Sequence, residues 1–163
     1  MKSKKIATFG LLVALAFILS YVETLIPLPI PVPGMKLGLA NLVVITALYG
    51  MGSKEALSLS VLRIILVGFT FGNLSTMAFS FGGGLLSWSL MALFHKSRWF
   101  SIVGVSVIGG VSHNIGQILV AMLIIKNSNL VYYLPFLLIT GVITGILIGI
   151  LGFILVKRLK NVF

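Results

Sequence analysis

Apolar runs long enough to cross a lipid bilayer follow one another from Ile6 to Val156, with only short polar joints between them. In lipid, backbone N–H and C=O groups must be satisfied inside the protein, so a helix of ~20 apolar residues is the natural unit of crossing. Six such units use nearly all of the 163 residues. The chain is therefore expected to be one transmembrane domain, an all-α integral membrane protein built as a compact bundle of about six transmembrane helices. Composition agrees, with 9% charged and 59% hydrophobic residues, too little charge to cover a water-soluble surface.

The expected spans are 6–26, 37–51, 54–71, 75–94, 100–125 and 131–156. Pro27, Pro29, Pro31, Pro33 and Gly34 exclude helix between the first two, because proline lacks an N–H and restricts the residue before it. Gly50-Met51-Gly52-Ser53 reads as a turn with Ser53 as N-cap, and Gly72-Asn73 as a break. The first apolar run passes Ala14-Leu15-Ala16 and continues to Ile26, which reads as a retained span and not a cleaved leader. Lys and Arg set the orientation. With both termini cytoplasmic, nine basic residues fall inside (Lys2, Lys4, Lys5, Lys54, Lys96, Arg98, Lys157, Arg158 and Lys160) and two outside (Lys36 and Lys126).

Those basic residues stand singly or in small clusters between apolar runs, so the net charge of +10 reports topology, with the lipid bilayer and not nucleic acid as partner. The carboxylates are Glu23 and Glu55; there is no Asp and no Cys. That removes Asp-rich Mg²⁺–diphosphate sites, a Walker-type Mg²⁺ partner, disulfides and thiolate metal sites. Two distant His residues make no metal site. No catalytic residue, metal or cofactor is expected, and the chain is not expected to be an enzyme.

Polar groups inside a membrane are costly and mark function or helix pairing. Arg63 lies near the middle of the third span, and His113, Asn114 and Gln117 lie in the middle and outer part of the fifth. Glu23 is near the outer end of the first, and Asn41 one turn into the second. The inner half of the spans is almost purely apolar, which suggests a pocket open to the outside. Arg63 has two readings, as structural partner of Glu23 or as ligand group. His113, Asn114 and Gln117 are expected to share one face and to form a site, with Lys36 at its mouth. Glu55 reads as a helix-dipole residue. Gly82-Gly83-Gly84 either loosens its helix or lets backbone approach a ligand. Small residues at four-residue spacing let helix backbones approach in lipid. For Gly141, Gly145 and Gly149 this reads as intramolecular packing, whereas Gly10 and Ala14 offer a face to a partner helix.

Several separated motifs carry a family resemblance. They are Ala14-Leu15-Ala16-Phe17-Ile18-Leu19-Ser20-Tyr21-Val22-Glu23, Gly34-Met35-Lys36-Leu37-Gly38-Leu39-Ala40-Asn41, Ser53-Lys54-Glu55-Ala56-Leu57, Leu62-Arg63, Phe81-Gly82-Gly83-Gly84-Leu85-Leu86-Ser87 and Ser112-His113-Asn114-Ile115-Gly116-Gln117. Together they resemble the Gx transporter family, often labelled heptaprenyl diphosphate synthase component I. The resemblance implies a fold similar to the substrate-binding S components of energy-coupling-factor (ECF) transporters. These take a small-molecule substrate near the outer face of the bacterial plasma membrane and dock through the first helix to a membrane subunit driven by ATPases. Gly10 and Ala14 are the nearest match to that docking pattern.

The reading is a transporter subunit for a small polar or anionic metabolite, with Arg63, His113, Asn114, Gln117, Asn41, Glu23 and Lys36 at the site. The alternative is a non-catalytic membrane scaffold or partner for prenyl diphosphate or quinone synthesis, or for flavin-dependent extracellular electron transfer. A third reading is a proton-coupled carrier that titrates Glu23 and His113.

Overall fold

The computed structural model describes residues 2–26, 38–97 and 99–159. Six α-helices account for most of them: α1 (Lys2–Leu25), α2 (Asn41–Gly50), α3 (Ser53–Thr70), α4 (Leu74–Ser97), α5 (Ile102–Ile125) and α6 (Leu134–Leu159), with a 3-10 turn at Ser128–Tyr133 before α6. The protein is a multi-pass membrane bundle. By length and apolar composition α1, α4, α5 and α6 are long enough to cross a membrane. α3 has 18 residues and a buried Arg63 near its middle. α2 has 10 residues, about 15 Å at 1.5 Å per residue, half the hydrocarbon thickness.

The expected second span, 37–51, is thus shortened. Gly38 at φ +89° turns the chain before Asn41 begins the helix. Ser53 is also corrected. The N-cap is Gly52 at φ +118°, with no side-chain cap, and Ser53 is the first helical residue. The break at Gly72-Asn73 stands, and Asn73 opens α4 with a reciprocal cap: Thr76 N–H donates to Asn73 Oδ1 and Asn73 N–H to Thr76 Oγ1, both at 2.9 Å. Expected Pro31, Lys36, Arg98 and Lys160 lie outside the described residues.

α5 is the centre of the bundle, packed between α4 and α6, while α1 rests against α2 and α3. Glycine makes the α5–α6 seam. A Cβ on Gly110 would stand 2.5 Å from the Gly141 carbonyl oxygen, and one on Gly145 would stand 2.6 Å from the Val107 Cα. The Gly141–Gly145–Gly149 stripe is spent on packing within the chain. α4 meets α5 likewise, a Cβ on Gly116 standing 2.4 Å from the Gly82 carbonyl oxygen. The Gly82-Gly83-Gly84 run stays helical and serves close helix packing.

Two apolar clusters bracket the middle of the bundle. One gathers Leu12, Ala16, Val44, Leu48, Leu59 and Met91 toward the end that holds Lys54 and Lys96. The other gathers Phe79, Ile118, Leu130 and Leu137 at the opposite end. At the lysine-rich end, Lys5 pairs with Glu55 across α1 and α3, so Glu55 is more than a dipole residue.

Candidate functional site

His113 sits midway along α5, against Gly83. A Cβ at Gly83 would lie 2.7 Å from the His113 carbonyl oxygen and 2.9 Å from its Nδ1, so only glycine lets α4 close on this ring. Gln117, one turn on, shares that face. Its amide nitrogen lies 3.0 Å from His113 Nε2, which makes the ring nitrogen the acceptor. Asn114, ~100° round the helix, faces α6 instead, where Nδ2 donates to the Leu137 carbonyl at 2.7 Å. The three residues do not share one face.

The turn into α2 joins this ring to α1. The Glu23 carboxylate accepts from the Gly38 N–H, and from the Leu39 N–H at 3.2 Å. A Cβ on Gly38 would meet Asn41 Nδ2 at 2.8 Å and His113 Cδ2 at 3.5 Å. One glycine therefore brings Glu23, Asn41 and His113 together, and Asn41 lies level with the middle of α5.

From α3, Arg63 reaches α1. Its Nη1 donates to Ser20 Oγ at 3.4 Å, and Glu23, three residues on along the same helix, acts on it electrostatically. Arg63, Glu23, Asn41, His113, Asn114 and Gln117 are all buried, none more than 5% exposed. Among the described residues Arg63 Nε and Nη2, Asn41 Nδ2, Ser87 Oγ and Asn114 Oδ1 have no hydrogen-bond partner. Such groups are rare in folded proteins because each forfeits its hydration. By contrast, Ser112 and Thr46 bond to carbonyls of their own helices, at Ile108 and Leu42. Lys36 lies outside the described residues.

Ser20 and the amides of Gly38 and Leu39 join the site only through the fold. The spacing of Ser20 and Glu23, one helical turn apart, is the signal that pairs them. Gly10 and Ala14 are exposed on α1, and nothing lies within 4 Å of a Cβ built at Gly10. Ala16 and Ser20, further along the same helix, face inward. Among the described residues no group of three or more His, Cys, Asp or Glu gathers to hold a metal.

The sequence profile of a family described as Heptaprenyl diphosphate synthase component I matches residues 12–155. The chain belongs to that family. Among curated proteins none matches. In fold, this family member is similar to a solved S component of a bacterial ECF transporter, 18% identical, with 99% of this chain and 98% of that one covered and a TM-score of 0.74. At that identity the likeness establishes the architecture, a six-helix S-component-like bundle.

Proposed function

We propose that the chain is a transporter subunit that binds a small polar or anionic metabolite from the outer side of a bacterial plasma membrane and relies on partner subunits for energy. The observation that carries this reading is Arg63, a cation buried midway through the bundle with Nε and Nη2 unpartnered among the described residues. A buried charge with open donors is costly. A bound acceptor offsets that cost. His113, Gln117, Asn41, Glu23 and Asn114 line or gate the site with Arg63, and Lys36 joins them on the sequence reading. The apolar cluster at the lysine-rich end closes the site from the cytoplasm. Gly10 and Ala14, exposed and flat, are the surface through which α1 docks to a membrane subunit served by ATPases. The likeness to an ECF S component supports this assignment.

The test is mass spectrometry of small molecules that co-purify with the detergent-extracted protein. A metabolite retained by the wild type and lost from Arg63→Met is the expected result; wild type with no enriched metabolite would overturn the reading.

The family description favours a second reading, a non-catalytic membrane partner in prenyl diphosphate synthesis. With no Asp in the chain, the Mg²⁺–diphosphate chemistry would belong to the partner. Co-purification of a prenyl synthase without any retained metabolite would select it.

A further inference from the structure

Arg63 presents the two sides of its guanidinium to different surroundings. Nη1 is turned to Ser20, while Nε and Nη2 have no hydrogen-bond partner among the described residues. Nε and Nη2 form the side-on edge of the group, two parallel N–H bonds in one plane. That edge fits two oxygens carried on a single atom. A second open donor, Asn41 Nδ2, belongs to the same neighbourhood, linked through Gly38 and Glu23.

On the reading of the chain as a binding subunit, we infer that the ligand is a carboxylate monoanion, seated side-on against Arg63 Nε and Nη2 with Asn41 Nδ2 as a further donor. Ser20 is the positioning residue that turns this edge toward the ligand by engaging Nη1.

Charge and geometry select this class. Among the described residues Arg63 is the only buried Lys or Arg, and Glu23 acts on it electrostatically. With Glu23 beside Arg63, a carboxylate adds one negative charge to the site and a dianionic phosphate adds two, and in a medium of low dielectric constant the second is the costlier to hold. A neutral amide would set its own NH₂ against one of the two N–H bonds. A carboxylate meets both.

The experiment is thermal unfolding of the full-length protein in detergent, at constant ionic strength, titrated with sodium benzoate, benzamide or inorganic phosphate. Benzoate should raise the midpoint in proportion to the logarithm of its concentration above the dissociation constant, as binding to the native state requires, and benzamide and phosphate should not. Arg63→Lys, whose ammonium lacks the paired N–H bonds, should weaken the benzoate response at least tenfold, and Ser20→Ala should weaken it severalfold. Equal responses to benzoate and benzamide, a phosphate response above that of benzoate, or no benzoate response would overturn the inference. The comparison of probes is made on the wild type, so it decides even where a variant does not fold. A co-purified metabolite without a carboxylate would sink this inference and leave the binding-subunit reading standing. Absence of any retained metabolite, together with no benzoate response, would sink both.

Discussion

A guanidinium inside a bilayer keeps its charge only where neighbouring groups replace its lost hydration. Around Arg63 that replacement is partial: Ser20 on Nη1 and the field of Glu23. Glu23 meanwhile accepts from the amides of Gly38 and Leu39, so it has work independent of Arg63. A double-mutant cycle separates the roles. Arg63→Met should abolish ligand retention, and Glu23→Gln added to it should change the melting temperature about as much as Glu23→Gln alone, with a coupling below ~1 kcal/mol. Coupling of ~3 kcal/mol or more, with retention restored in the double variant, would make the pair purely structural. Gln117→Leu should weaken retention less than Arg63→Met, a neutral hydrogen bond contributing ~1 kcal/mol net against ~1.5–3 for a charged one. Which residues lie deep was legible from their positions within apolar runs. Which way each one points was not: His113 and Asn114 are adjacent in sequence yet face different helices, because rotation about a helix axis is settled by partners that a single run does not name.

At the scale of the element, two glycine surfaces make opposite predictions. Gly110→Leu should lower the melting temperature sharply, since even a Cβ there stands 2.5 Å from the Gly141 carbonyl oxygen. Gly10→Leu with Ala14→Leu should leave the isolated protein as stable as the wild type, because the site at Gly10 is open. That pair should nevertheless abolish uptake in cells, since bulk separates helices that need close backbone contact. Normal uptake would exclude this face as the docking surface. Helix existence was readable because lipid demands long apolar runs. The start of α2 was not, since residues 37–40 are as apolar as the helix itself apart from Gly38, and a positive φ leaves no mark in hydropathy. The start of α6 slipped for a related reason: Ser128–Tyr133 is a 3-10 turn capped by Asn127, and its apolar residues resemble the helix that follows.

For the whole molecule, orientation follows from charge placement. The chain has no Cys, so Ser97→Cys and Asn127→Cys can be probed singly in intact cells. Position 127 should react with a membrane-impermeant thiol reagent, and position 97 should react only after the membrane is opened. The reverse pattern would invert the bundle and turn the proposed site toward the cytoplasm. The brevity of α2 has a further consequence, for biogenesis. A 10-residue helix cannot hold itself across the bilayer, and an arginine at the centre of a span opposes insertion by ~3 kcal/mol. By length and charge α2 and α3 are therefore weaker insertion signals than α1. Their insertion is expected to lean on α1, whose Ser20 and Glu23 are the polar groups that face Arg63 in the folded bundle. Replacing Ser20 and Glu23 by alanine should therefore lower the yield of membrane-inserted protein, a cost that arises before any ligand is at issue.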